Sequence, residues 1–592
     1  MDEINLDFAS SDLPKLPDMP KWKKFAIIGG VICAFVILLI IIIILIASSG
    51  KKSKEIIGQI VCNYEDFKPG EPTKIFGNNF KSQDSFSINI DSKTIKFSKE
   101  YIFNELSKGE IKIDVYDDIN MDYMFHEVKN LASIVLYSSK GAKIKSMISA
   151  FENCELLRSF TNSGFDTSKV KSMRNLFHGA KLPALNLISI NTENVEDFSY
   201  MFASVNFNID LNKLNTKNAK NFSHMFDSSN IGSDLDLNFS SFVTSNVEDM
   251  SYMFKSCDFL QYLDLSKFDT KKVKNMAGMF MDCVSLESID ISSFDTSQVT
   301  DMSHMFDKTS YLKKIDLSKF DTSKVQNMSY MFNLCNYLEI IDTSKFDTSQ
   351  VRDMSFMFGN CRMIRNFEIK NFITKNVENM AGMFKYCPTA RYLDIMNFDT
   401  SNVKNMSHFF EDCGQLTSLN VSNFNTAKVE DMSHMFHDCT ALTSLDVSKF
   451  DTRNVLDMSS MFAGVSKPYI LDISHFNTSK VTNTSKMFQF MTGLRTLAIE
   501  NFDTKNIIDM SSMFQNCKIV SRLDVSKFIT SNVIDMSYLF HGCSSISNLD
   551  VSNFDTSKVK NFTYMFSGTR IKTLDLTKFN TVNAEDMSYF LY

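Results

Sequence analysis

Leu286 to Tyr311 reads LESIDISSFDTSQVTDMSHMFDKTSY, and the fold turns on how these 26 residues are read. Their apolar residues fall at Leu286, Ile289 and Ile291, then at Phe294, then at Val299, Met302, Met305 and Phe306. The first three form an L-x-x-L-x-L signature, with the alternate apolar positions of a short strand buried on one face. It returns as Leu260-Leu263-Leu265, Leu312-Ile315-Leu317, Leu442-Leu445-Val447, Leu494-Leu497-Ile499 and Ile546-Leu549-Val551. The Asp-Thr-Ser stretch after the phenylalanine, as at Asp321-Thr322-Ser323 and Asp555-Thr556-Ser557, offers side chains that bond their own backbone, which predicts a turn.

Outward from this unit, a Phe recurs every 26 residues from Phe242 to Phe554, and the next, Phe579, follows after 25. Looser copies precede the run around Phe165, Ile190 and Leu214, and Met121 to Phe125 and Met147 to Phe151 carry the register further back. About 19 units therefore fill residues 113–592. The usage of 54 Phe and 35 Met against one Trp and eight Pro is what repeated copying of one segment produces. A 26-residue period lies in the leucine-rich-repeat range. One such unit buries too little to fold alone, so stability must come from stacking. The fold class expected is a β-rich repeat solenoid, a leucine-rich-repeat-like parallel-strand array preceded by one transmembrane helix. A leucine-rich arc and a straighter β-helix-like rod both satisfy this period.

Residues 25–47 contain no charge and are dominated by Ile, Leu and Val, and these 23 positions meet the roughly 20 that a bilayer core needs. The run exceeds the roughly 7–15 apolar residues of a signal peptide, although Ala47-Ser48-Ser49 would suit cleavage. Residues 1–24 form a short polar tail, and 48–112 a juxtamembrane stem and β-rich cap in which Phe86 to Ile90 and Glu110 to Val115 alternate like strands. Lysines flank the apolar run on both sides, so the positive-inside rule does not orient it. Eight N-x-S/T sequons, at Asn221, Asn238, Asn327, Asn405, Asn420, Asn477, Asn483 and Asn561, favour a cytoplasmic tail and an external body, though several only reproduce the repeat's own Asn-Met-Ser.

Leu442 to Phe462, LTSLDVSKFDTRNVLDMSSMF, resembles the BspA-like leucine-rich repeat surface proteins, and the likeness covers about four fifths of the chain. That resemblance implies a surface protein of bacteria or microbial eukaryotes, proposed to act in adhesion or recognition and without enzyme activity.

Ten of the twelve Cys, at 154, 257, 283, 335, 361, 387, 413, 439, 517 and 543, occupy one slot, three residues after the closing Phe. Thr309, Val465, Met491 and Thr569 take their place elsewhere. A slot that accepts Val and Met is an apolar interior position, which predicts a structural ladder of buried thiols (Cys154, Cys257, Cys283, Cys335, Cys361, Cys387, Cys413, Cys439, Cys517, Cys543), with disulfides or metal as the alternative. Free thiols sit uneasily in an oxidising exterior and would suit a cytosolic body. A second ladder is acidic: Asp264, Asp290, Asp316, Asp342, Asp394, Asp446, Asp472, Asp524, Asp550 and Asp575 project to solvent from the strands. Their mutual repulsion needs an offset from Ser hydrogen bonds, neighbouring Lys, or bound cations such as calcium.

Specific recognition is expected where units differ: Tyr262, Lys314, Ile340, Asn366, Tyr392, Arg522 and Asn548 along the strands, with Glu368, Lys370 and Met396 where the acidic ladder breaks. His224, His304, His408 and His434 share the slot before Met-Phe or Phe-Phe, where Tyr, Gly, Ser and Lys also occur, so a tolerant surface position is expected. No catalytic triad, phosphate loop or zinc-protease motif occurs, and neither cofactor nor metal is expected. The net charge of −7 and the lack of a basic run argue against nucleic acid. The partners expected are membrane lipid through one helix, a protein or host extracellular ligand, and a second copy at the carboxy-terminal end. The alternative function is a membrane-tethered cytosolic scaffold for protein–protein interaction.

Overall fold

The computed structural model describes residues 30, 33–44, 54–104, 108–182, 184–185, 187, 189–206, 208–231, 239–468 and 470–592. The chain divides into two compact units, 1–56 and 57–592. In the first, Gly30 and residues 33–44 are helical with exposed side chains. The membrane-spanning segment expected at 25–47 lies partly outside the described residues. Among those described, no helix is long and apolar enough to cross a membrane.

The second unit begins with a sheet. Strands β1 (Gly58–Tyr64), β2 (Pro72–Lys74), β3 (Phe86–Ile90), β4 (Lys93–Ile95), β5 (Glu100–Ile102), β6 (Glu110–Val115), β7 (Ile119–Asn120), β8 (Leu131–Tyr137), β9 (Ile144–Ser146) and β10 (Ser159–Ser163) follow in order. Six of them make one sheet in the order β10-β8-β1-β6-β3-β4. The alternation at 86–90 and 110–115 correctly marks β3 and β6, which bury Ile88, Ile90, Ile111, Ile113 and Val115 with Ile60 and Cys62 of β1. Tyr64, fully enclosed, donates its hydroxyl to the Ile75 carbonyl at 2.8 Å, as a buried phenol requires. The boundary expected at 112 falls inside β6.

The passage from cap to solenoid is made by β8. It pairs antiparallel with β1 on one side and parallel with β10 on the other, where Ser133 faces Ser159, 26 residues later. From there the chain is a β-solenoid with roughly 26-residue spacing, about 14 turns of which keep close register. Parallel bridges link Asp249 to Asn275, Asn275 to Asp301, and onward by 26 to Asn561, then by 25 to Asp586.

What joins the turns differs from the sequence expectation. In the L-x-x-L-x-L stripe, strand is found among the described residues only as short parallel pairs: β11 (Ala184–Leu185) with β12 (Asn208–Ile209), β13 (Tyr262–Asp264) with β14 (Ser288–Asp290), and β15 (Ile470–Leu471) with β16 (Thr496–Leu497). Apolar alternation reports which side of a segment is buried, and Leu263, Leu265, Leu286 and Ile291 are indeed interior. It does not report whether neighbouring segments meet within hydrogen-bond distance.

The continuous ladder lies instead in the Asp/Asn-Met-Ser-x-Met-Phe segment. Met302, His304, Phe306 and Lys308 donate their N–H groups to the carbonyls of Asn327, Ser329, Met331 and Asn333 in the next turn, at 2.7–3.0 Å. The intervening amides of Met305, Asp307 and Thr309 close back on Met302, His304 and Phe306. Every second N–H thus joins turns while the others make successive tight turns within the unit. This zigzag needs left-handed backbone at two positions per unit, such as His304 (φ 56°) and Lys308 (φ 61°). Gly382 and Gly464 fill the same two slots elsewhere at φ 58° and 73°, where an L side chain carries a steric cost. Each segment opens with an Asx turn, as when Asp301 Oδ1 accepts the Ser303 N–H at 2.8 Å.

The Asp-Thr-Ser corner divides its labour. Asp bonds its own backbone as expected: Asp321 Oδ1 accepts from Ser323 N at 3.0 Å. Thr does not; its hydroxyl reaches the next turn. Thr296 Oγ1 donates to the Asp321 carbonyl at 2.9 Å and accepts the Asp321 N–H at 2.8 Å, so one buried hydroxyl satisfies both backbone groups of a single residue. The same bracket recurs at Thr270, Thr400, Thr426 and Thr452. Inside, the closing phenylalanines stack turn on turn, Phe306 on Phe332 at 5.7 Å between centroids and 3° between planes.

Replacing Thr296 by Val keeps the shape of a fully buried side chain but removes both bonds to Asp321. The expected loss is about 1–3 kcal/mol, read as a lower urea midpoint, with Thr296→Ser retaining most of the stability. An unchanged midpoint in T296V would show that the bracket contributes nothing.

Candidate functional site

Three longitudinal features arise because any slot in the unit recurs in register along the solenoid. The first is the thiol ladder. All ten slot cysteines are buried and unpaired, as is Cys62, while Cys33 is exposed. Each thiol has a fixed partner: Cys335 Sγ donates to the Phe306 carbonyl at 3.1 Å, Cys361 to Phe332 at 3.2 Å and Cys413 to Phe384 at 3.1 Å. Where the slot holds Thr309, its hydroxyl lies 3.3 Å from Cys335 Sγ and donates to Phe306 O at 2.7 Å. Burial pushes the thiols of Cys335, Cys413 and Cys543 up to about 12, and those of the other slot cysteines except Cys283 also rise. The ladder is a set of packed, hydrogen-bonded thiols with little thiolate character.

The second is the acidic ladder. Serine two residues on, by N–H and in several turns also by hydroxyl, engages Asp264, Asp290, Asp316, Asp342, Asp446, Asp472, Asp524 and Asp550, and Thr577 does so for Asp575. These bonds hold the carboxyls of Asp264, Asp316, Asp342, Asp446, Asp472, Asp524, Asp550 and Asp575 below the ordinary range. At Asp394, which is half-buried, Met396 stands where the serine would be. The offset to repulsion is therefore local Asx bonding. The variable residues Tyr262, Lys314, Ile340, Asn366, Glu368, Lys370, Tyr392, Met396, Arg522 and Asn548 are all exposed beside this ladder.

The third feature was passed over in the sequence. The histidine slot before Met-Phe is not a free surface position; it is one of the left-handed slots, half-buried, and its rings stack between turns. His224 lies between Tyr200 and Tyr252 at 4.2 and 4.7 Å, His304 rests on Tyr330 at 4.6 Å, and His408 on His434 at 4.6 Å. Three residues on, the slot after the Phe points into the same flank. It carries Asp227, Asp307, Lys385, Glu411 and His437 in different turns. The pairs His224–Asp227 and His304–Asp307 meet there at 2.7 and 2.8 Å.

Around Glu411 this arrangement becomes a cluster. Glu411 is 7 % exposed and takes a short hydrogen bond from His408 Nδ1, an ion pair from Lys385 Nζ at 2.8 Å, and a longer contact from His437 Nδ1 at 3.4 Å. His434 Nδ1 stands 3.9 Å from Glu411 Oε1, buried and without a hydrogen-bond partner. Burial alone would raise the Glu411 carboxyl, but His408, His437 and Lys385 together hold it well below the usual range. The bond to Glu411 raises His437, whereas burial and then the neighbouring His408 push His434 down to about 4. The available signal was spacing: Glu411 is three residues after His408, and His434 and His437 repeat both positions one turn later.

The family model described as Mycoplasma protein of unknown function, DUF285, matches seven overlapping stretches, at 78–188, 119–236, 145–261, 230–337, 288–393, 387–496 and 490–592. The chain belongs to this repeat family. No curated protein matches it.

With the ladder thiols buried, a maleimide should modify none of the ten slot cysteines nor Cys62 in the folded protein at neutral pH, and all of them after denaturation, as counted by mass spectrometry. Rapid native labelling of several would contradict the packed ladder.

Proposed function

We propose that this chain is a membrane-anchored surface protein that presents its solenoid for adhesion or for recognition of a protein or extracellular ligand, without catalysis. One observation carries the reading. Along a single stripe, positions 26 residues apart expose Tyr262, Ile340 and Tyr392 by 59 %, 72 % and 59 %, interleaved with Lys314 and Asn366. Interior positions repeat because stacking fixes them, whereas this stripe varies and places large apolar and aromatic side chains in water. Such residues dominate recognition energetics where they become desolvated. The charge-free run at 25–47 supports an anchor, and the BspA-like text of the repeats supports a surface location.

Two further features bear on which side of the membrane the solenoid faces. Burial shields the free thiols from an oxidising exterior, which removes the main objection to an outside location. Of the sequons, Asn327 and Asn405 are half-buried and use their side chains in the Asx turns at Ser329 and Ser407, so there the motif belongs to the fold. Asn420 and Asn477 are exposed. A membrane-tethered cytosolic scaffold is the second reading, and the eleven buried, unpaired thiols are what favours it.

Protease shaving of intact cells carrying an epitope after Tyr592 separates the two. Loss of the epitope without lysis is the expected result. An epitope protected until lysis would move the protein to the scaffold reading.

A further inference from the structure

We propose that the flank of the solenoid around Glu411 is a binding site for one divalent transition-metal cation of the zinc type, held by His408, Glu411 and His434 with His437 as the fourth donor. This stands apart from the variable stripe and does not depend on the function proposed above.

The ligand atoms of His408, Glu411 and His434 all lie within 4.8 Å of one another, and those of Glu411, Asp412 and His437 do likewise. Two or three imidazoles with one carboxylate is a donor set that suits zinc and its neighbours in the first transition row, and hard cations such as calcium poorly. Metal–ligand bonds of about 2.0–2.2 Å place donors roughly 3–3.5 Å apart. His437 Nδ1 is already 3.4 Å from Glu411 Oε1, and His434 Nδ1 at 3.9 Å has only a small distance to close.

Ion pairing accounts for part of this cluster but not for His434. His408, His437 and Lys385 each engage the carboxylate. His434 instead has its Nδ1 buried with no partner, an arrangement that costs free energy unless something occupies the space. Its ring lies on that of His408 with an 18° interplanar angle, so both nitrogens cannot aim at one ion until the His434 ring turns; no hydrogen bond at Nδ1 holds it back. Burial keeps His434 neutral at physiological pH, leaving a nitrogen lone pair for a metal. The groups facing the site are Lys385, which competes for Glu411, and the carboxylates of Asp412 and Asp438, the latter 3.6 Å from His437 Nε2. Among the described residues, no group of three donors forms at His224–Asp227 or His304–Asp307.

The test is calorimetric titration of the full chain with zinc chloride, repeated with cobalt(II) and followed by visible absorption. One equivalent is expected to bind, and His408→Ala and His434→Ala should each weaken it by about tenfold or more. Lys385→Met should tighten it several-fold by freeing the carboxylate, a gain that a purely structural role for the cluster would not produce. His304→Ala, in the paired but incomplete slot, should leave the affinity unchanged. Circular dichroism of each variant establishes that it is folded, and the cobalt spectrum of the unmodified protein reports the ligation even if a variant fails to fold. No saturable binding with an unshifted cobalt spectrum, or binding that survives both His408→Ala and His434→Ala in folded protein, would overturn the proposal.

Discussion

The whole solenoid depends on one constraint: each turn must hand its backbone hydrogen bonds to the next at a fixed offset. In the Met-Ser-x-Met-Phe segment four amides per unit, such as Met302, His304, Phe306 and Lys308, cross to the following turn. At the opposite corner a buried threonine closes both backbone groups of the residue 25 positions on. Because the donors of one turn are matched to the acceptors of its neighbour, an inserted or deleted residue within these segments would break several bonds at once. That is why the 26-residue spacing holds strictly from Asp249 to Asn561. Side chains inherit the same register, so phenylalanines stack on phenylalanines and thiols follow thiols. The stability of any unit therefore resides largely in its neighbours.

The register also produces function-bearing surfaces. A side chain placed once on a unit is placed again beside itself a turn later, so one slot becomes a stripe. Where the slot is interior, repetition makes a core. Where it is exposed and free to vary, as from Tyr262 to Tyr392, it makes a recognition surface. Where it is half-buried on the flank, it brings titratable groups together, and the Glu411 cluster is built from two slots in consecutive turns. The left-handed slot that carries His408 turns its ring along the solenoid, onto His434, while the slot three residues later faces inward with Glu411.

Much of this was legible in the sequence because periodicity reports burial faithfully. Phe294, Val299, Met302 and Phe306 are interior as their spacing predicts, and the substitution of Val465 or Met491 for cysteine identified the thiol slot as apolar. Alternation marked β3 and β6. What periodicity cannot report is the direction of hydrogen bonds. Thr296 reads as a turn residue bonding its own backbone, yet its hydroxyl spans to Asp321, because only stacking brings that partner near. The same gap led the L-x-x-L-x-L stripe to be read as the ladder when the Met-Ser-x-Met-Phe segment carries it. The glycines at 278 and 382 in the histidine slot were a usable sign of left-handed backbone and hence of a constrained, non-surface position. The double role of β8, antiparallel to the cap and parallel to the first turns, rests on tertiary pairing alone.

The claim that the turns are joined through the Met-Ser-x-Met-Phe segment and the threonine corner, with the apolar stripe contributing burial, is tested most directly by residue-resolved amide hydrogen exchange. Slow exchange is predicted at the cross-turn donors Met302, His304, Phe306 and Lys308 and at Asp321, with faster exchange across the stripe residues Ser444 to Asp446. Uniform protection along the stripe with rapid exchange at the four ladder amides would contradict the account.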